Sequence, residues 1–430
     1  MRETVLIKMK VMKLRRTKLK IWIIGINIEP ESKYLSQLMK RLEQELPFQA
    51  ELRLLTWNRA FDTLMDALKN DSAPDIFSIG TTWVHTLGYL QYLAPLPDSF
   101  KMRPLLAPWL NDVIRVNGRN HAVPFLSEVY VLMAKQKTLD TLGIQRDDLK
   151  DWDSFFASCM KINESFRTRG VEQIPLAMPL RPELGTMHRY FTWLFKSGWT
   201  FPPLRPGMDS IFRNEISNKT LNFISRLLLS SGADLKALNT DTQSLMERFE
   251  SPENAFTFFV GNGNAYLMRM MNKSVNKDIV LYPVPSLVPD GKTFGGGSVL
   301  TVASACKHQE LAWQVVEKLS SEEVMTELST SIGGISPYEG GFWDKHSGDP
   351  NICLLKDEFS HSNSYVHHPV WYVIEQIMGD AIAFFFWDSI GKKNSDSFKV
   401  YDKMMEELDN KVIDVLNMMW ELEEDETGRI

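Results

Sequence analysis

The chain is predicted to be an α/β protein built on a largely parallel sheet and divided into two lobes. Three observations carry that expectation. At 430 residues the chain exceeds one ordinary hydrophobic core. Over the first hundred residues apolar runs of strand length alternate with stretches of helical periodicity, the pattern of βαβ units. The stretch ALKNDSAPDIFSIGTTWVHTLGYLQYLAPL, Ala67 to Leu96, condenses that pattern into one strand–turn–helix.

In chain order, Lys20–Gly25 (KIWIIG) reads as the opening strand. Pro30 suits a helix start, and Tyr34, Leu35, Leu38, Met39, Leu42 and Leu46 repeat at helical spacing until Pro47. Ala50–Leu55 alternates as a second strand, and Asn58 is placed to cap the next helix, with Phe61, Leu64, Met65 and Leu68 on one stripe. That helix ends at Lys69, where Asn70, Asp71 and Ser72 supply turn chemistry. Pro74 holds Ala73 extended, and Asp75–Ile79 reads as a strand buried on both faces. A turn at Gly80-Thr81-Thr82 leads to a helix from about Trp83 to Tyr92. In open α/β sheets ligands bind beyond the carboxyl ends of strands, which makes Gly80, Thr81, Thr82 and Trp83 candidate ligand contacts.

Further on, Asn117-Gly118 marks a turn, His121–Phe125 is extended and Ser127–Ala134 is a strand. Helices follow Asp151 and span about Gly185–Lys196. Residues 199–214 read as loop, and helices are then expected to about residue 270, broken at Gly261-Asn262-Gly263. Ile279–Val284 and Val299–Ala303 read as strands, Leu311–Leu319 as a helix, and Ser320 with Glu323 as a capping box for a helix ending at Gly333-Gly334. From about Pro369 the chain is expected to be helical. No internal repeat is visible.

Composition narrows the functional classes. With 44% hydrophobic and 24% charged residues the chain suits a soluble globular protein, and a net charge of −6 gives no reason to expect a nucleic-acid partner. Residues 1–20 are strongly basic and Asp402–Glu426 strongly acidic. The basic start is expected to be a solvated, disordered leader, with a nucleic-acid or membrane-touching arm as the alternative. Lysines and arginines between Lys8 and Lys20 interrupt every apolar window there, so no secretory h-region of about 7–15 residues is read. No run reaches the roughly 18 apolar residues of a membrane span. Cys159, Cys306 and Cys353 have no metal-ligand spacing; free, mostly buried thiols are expected, with one disulfide as the alternative.

Catalytic and cofactor motifs are not found. Gly295–Gly297 lacks the lysine and spacing of a phosphate loop and reads as a turn or hinge needing positive φ or close backbone approach. There is no GxSxG or HExxH, and the adjacent His367 and His368 are expected to face solvent rather than hold a metal. No enzyme activity, cofactor or metal is therefore expected. What remains is aromatic: twelve tryptophans, most expected in the core and a few available to stack on a sugar ring, with carboxylate, amide and hydroxyl groups for its edge. Trp83, Glu128, Tyr190 and Trp371 have that chemistry.

Four segments in order give this a family. APDIFSIGTTWVHTLGYLQYLAPL, the opening KIWIIG, the segment HAVPFLSEVYVLMAKQKTLDTLGI and the later FGGGSVLTVASACKHQELAWQVVEKLSSEEV together resemble the extracellular solute-binding proteins of bacterial ABC importers. The resemblance is to the sugar-binding group that includes maltose-binding protein, over roughly residues 18–420.

The resemblance implies a two-lobed, type II periplasmic-binding-protein-like fold with a ligand cleft between lobes. Residues 18–124 plus 299–330 would form lobe I, residues 125–298 plus 331–430 lobe II, and residues 1–17 the leader, with crossings at Val123–Glu128 and Gly295–Leu300. It implies a ligand glutamate at Glu128, a sugar-contacting tyrosine at Tyr190 in RYFTW and a stacking tryptophan at Trp371 in VWYV. Thr81, Thr82 and Trp83 would stand on the other wall, with Gly296 and Ser298 at the second crossing. The implied function is non-catalytic binding of a sugar or oligosaccharide by a monomer, for delivery to a membrane permease. A sensor using the same site without a transporter is the alternative. Location would be periplasmic or at the cell surface, with a cytoplasmic location as the alternative because neither signal peptide nor lipobox is read. The tryptophan the family carries after its "G.aAM" segment has no counterpart, because GNAYLMRMM runs into Asn272 and Lys273; Arg269 lies nearby.

Overall fold

The computed structural model describes residues 16–25, 28–70, 72–170, 174–205, 207–231, 238–250, 256–271, 277–392 and 397–427. Most of the basic leader lies outside them. The chain divides into two compact units. Unit 1 comprises the described residues through Ser127, Gly296–Lys345 and His367–Pro369; unit 2 comprises Glu128–Gly295, His346–Val366 and Val370 onward.

In unit 1, β1 (Thr17–Gly25) lies between two parallel partners, β2 (Phe48–Thr56) and β3 (Ile76–Gly80), with Ile21 beside Leu52 and Ile76. All five residues of β3 are buried, as its unbroken apolar run predicts. The hairpin β4 (Arg115–Val116) and β5 (Arg119–Asn120) closes on Asn117 and Gly118, whose φ values of 47° and 78° are those of the asparagine–glycine turn read from the sequence. Helix Ile28–Glu45 buries Leu35, Leu38, Met39 and Leu42, and helix Trp57–Lys69 buries Ala60, Leu64 and Ala67. Asn58 is not that helix's cap: Thr56 stands at the N-cap, and its hydroxyl donates to the Asn58 side-chain oxygen at 2.6 Å. The capping box expected at Ser320 is likewise displaced by one residue. Ser321 is the N-cap of helix Glu322–Ile332 and accepts from the Val324 amide, and Gly333 ends the helix in the left-handed region as expected.

Strand β6 (Val123–Lys135) begins in unit 1 and continues into unit 2. There, after β7 (Ile174–Ala177), come β8 (Phe256–Asn262) and β9 (Ile279–Tyr282), both antiparallel to β6; β7 runs parallel to β8. Strand β8 corrects the helical expectation for this region. Its run FTFFV is short, aromatic and β-branched, and all five of these residues are buried. Strand β10 (Gly295–Val302) returns to unit 1 antiparallel to β3, placing Ser298 opposite Gly80.

The core of unit 2 is aromatic. Helix Leu184–Lys196 buries ten of its thirteen residues. Helix Trp152–Thr168, which follows Asp151 as expected and is capped by its side chain, stacks Trp152 on Phe223 at 4.3 Å between ring centres, while the Trp152 indole donates to the Pro285 carbonyl. Each such ring contributes about 2–3 kcal/mol on burial. The three cysteines are free, Cys159 and Cys306 buried and Cys353 exposed.

Candidate ligand-binding residues

In unit 2 the strand β6 carries Glu128 into a cluster drawn from three other elements. The Asn262 amide, at the end of β8, donates to Glu128 Oε2. His188 Nδ1 lies 3.3 Å from Glu128 Oε1, and His188 Nε2 lies 3.7 Å from Glu375 Oε1. Glu375 sits on helix Trp371–Lys392 and is 1% exposed. One imidazole thus stands between two carboxylates. Glu128 and His188 are only partly buried, at 18% and 13% side-chain exposure, as is Asn262, and these three are the accessible members.

Rings form the floor. His188 stacks on Phe294 at 4.4 Å, Phe294 lies 4.6 Å from Tyr365, and Tyr365 lies 5.1 Å from Trp371. The Tyr365 hydroxyl and the Trp371 indole nitrogen are buried and have no hydrogen-bond partner among the described residues. Behind them the fully buried Arg189 donates to the carbonyls of Val260 and Pro179 and to the Thr242 hydroxyl. Burial raises the Glu128 carboxyl above the usual range; the His188 imidazole opposes the shift, and the Glu375 carboxylate adds to it.

Of the residues expected here, Glu128 sits in this cluster and Trp371 at its aromatic end, 2% exposed. Tyr190 points elsewhere. Helical residues two apart differ by about 200° in direction, so with His188 toward Glu128, Tyr190 turns toward Ser217 and Asp409 and is 1% exposed. His188, Asn262 and Glu375 were missed by the sequence reading. A glutamate within the apolar helix run WYVIEQIM was the available signal for Glu375, since a carboxylate among apolar neighbours needs a partner.

In unit 1 the β3–β10 register sets Ser298 opposite Gly80, the residue before Thr81 and Thr82. Thr81 and Trp83 are buried, Trp83 edge-on to Trp57 and Phe61, whereas Thr82 is partly exposed. Gly296 is buried in β10, and Ser298 donates weakly to the Leu126 carbonyl at 3.5 Å.

The same unit corrects the solvent-facing expectation for the adjacent histidines. His367 stacks on His85 at 5.4 Å and 19°, Thr86 donates to the Pro369 carbonyl at 2.6 Å, and His85 Nε2 lies 3.2 Å from the Asp112 carbonyl. Burial, with repulsion from His85, lowers both His367 and His368 to about 4. Folded unit 1 therefore binds fewer protons than the unfolded chain between about pH 4 and 6.5, and stability rises with pH across that window. On acidification from pH 7 to 4, the His367 shift alone is expected to remove about 3 kcal/mol. Denaturant titrations at stepped pH check this; because His368 carries a similar shift, a His367→Asn variant should lose about half of the slope.

Among the described residues no group of three or more His, Cys, Asp or Glu side chains could hold a metal, and no helix is long and apolar enough to cross a membrane. The two-unit α/β architecture is that of a class, the solute-binding proteins. The model of the bacterial extracellular solute-binding protein family matches residues 37–340, and the chain belongs to that family, one of binding proteins rather than enzymes.

No curated protein matches the chain, but solved structures do. The sugar-binding protein MalE from Xanthomonas citri is similar at a TM-score of 0.75 and 20% identity, over 95% of this chain and 99% of that one. A solute-binding protein of an ABC transporter from Thermotoga lettingae, bound with α-D-tagatose, gives 0.74 and 17%, over 91% and 99%. An ABC substrate-binding protein from Listeria monocytogenes in complex with cycloalternan gives 0.73 and 12%, over 94% and 99%.

Proposed function

We propose that the protein binds a sugar or oligosaccharide without transforming it, as a monomer outside the cytoplasm, and delivers it to the permease of an ABC importer. The observation that carries this reading is the accessible Glu128–His188 pair, a carboxylate fixed by an amide and an imidazole at the edge of an aromatic cluster. Such a pair accepts and donates to ring hydroxyls while the rings exclude water. Sugars bound by similar proteins support the class of ligand. Thr82 is a further proposed contact. Thr81, Trp83, Gly296, Ser298 and Trp371, all buried, are proposed to shape the backing rather than to present exposed faces, and Tyr190, turned toward Ser217 and Asp409, to anchor its helix in the core.

A thermal-shift and calorimetric screen over mono- and oligosaccharides, with polyamines and peptides as controls, tests the proposal. Glu128→Gln and His188→Ala are each expected to weaken sugar binding by about tenfold or more, with circular dichroism unchanged. Wild-type affinity in both variants would sink the site, and a shift with polyamines alone would sink the ligand class.

A further inference from the structure

Unit 2 contains a cavity of about 550 Å³ that shares no residue with the Glu128 cluster. Its polar wall is a buried ion pair. Lys196, the last residue of helix Leu184–Lys196, is 4% exposed, and its Nζ lies 2.9 and 3.3 Å from the Glu358 carboxylate oxygens. An ammonium carries three N–H groups, so a donor remains beyond these two contacts. A buried ion pair is a weak source of stability, which makes its place on a cavity wall informative.

At the rim, exposed Arg146 lies over the Tyr282 ring, 5.9 Å from its centre, and has no carboxylate within ion-pair reach among the described residues. The other charges lining the cavity are committed. Asp151 accepts from the Ser154 amide as a helix cap, and Lys150 pairs with Asp147. Lys150 and Lys196 thus each have a carboxylate partner, and Arg146 is the lining cation left without one among the described residues, on a cavity that also carries the apolar surface of Leu287 and Val288. The backbone holds this shape: Leu287 N donates to Lys196 O at 2.9 Å, and a Cβ on Gly291 would lie 2.5 Å from that same oxygen.

We propose that this cavity is a second ligand site, taking a small organic carboxylate with an apolar body. The Arg146 fork binds the carboxylate in two-point fashion, the apolar body lies along Leu287 and Val288, and Lys196 supplies a donor on the wall.

The test is a fluorine NMR titration of the full chain near neutral pH with 4-fluorobenzoate, using neutral 4-fluorobenzamide as comparator. Saturable binding is expected for the acid and binding about tenfold weaker for the amide. Arg146→Gln should weaken the acid about tenfold without affecting the amide. Leu287→Trp, at a position already 44% exposed, should fill the cavity and abolish both, and neither variant should alter the sugar thermal shifts. Equal binding of acid and amide, undiminished binding in Arg146→Gln, or no saturable binding would overturn the proposal.

Discussion

Asp409→Ala is expected to lower the stability of unit 2 by about 3–5 kcal/mol. Asp409 lies on helix Ser397–Thr427, is 1% exposed, and gathers the segment 210–213. It accepts backbone amides from Ile211, Phe212 and Arg213 at 3.0, 2.9 and 3.1 Å, and also the Ser210 hydroxyl. Ile211 and Phe212 are buried beside it, so an alanine leaves several donors in an apolar surrounding without an acceptor. Differential scanning calorimetry should show the loss as a fall of about 10 °C or more. Asp409→Asn, which keeps an oxygen but not the charge, should fall between alanine and wild type. An unchanged transition in Asp409→Ala would refute the assignment.

A second large effect is expected at Gly297. Its φ is +136°, and a Cβ there would lie 2.2 Å from the Leu126 carbonyl oxygen and 2.6 Å from the Ser127 Cα, both backbone atoms of β6. No rotamer relieves a clash with backbone, and the dihedral itself is strained for an L side chain. Gly297→Ala is expected to cost about 3–5 kcal/mol and to yield little folded protein. Gly348→Ala, where a Cβ meets open space, is the matched control. Equal melting temperatures in the two variants would overturn the argument.

Much of the architecture was legible because it rests on local signals. The apolar run of β3, the Asn117-Gly118 turn, the helix start after Asp151 and the left-handed Gly333 each declare themselves within a few residues. Even the close approach at Gly297 was readable, although the glycines lie within β10 rather than ahead of it. Strand β8 was not, since a short apolar run is equally a buried helix turn until its partners are known.

The candidate site was legible one side chain at a time. The family resemblance marked Glu128, but the residues clustered with it lie 60, 134 and 247 positions away along the chain, at His188, Asn262 and Glu375. Sequence spacing carries no trace of such convergence. On helix Leu184–Lys196 the resemblance at RYFTW pointed to Tyr190, and only the observed rotation of the helix selects His188. The stacking of His85 on His367 was hidden for the same reason.

The pairing of β10 with β3 also bears on the order in which the chain is made. Gly80 leaves the ribosome early, but its partner Ser298 follows only after about two hundred more residues, roughly 10–40 s at ordinary rates of synthesis. Until then the sheet of unit 1 has an open edge at β3, with a row of unpaired backbone groups that invites association with another nascent chain. At five residues that edge is short, which limits the hazard. Completion of the sheet is thus a late event whose timing is set by translation as much as by folding.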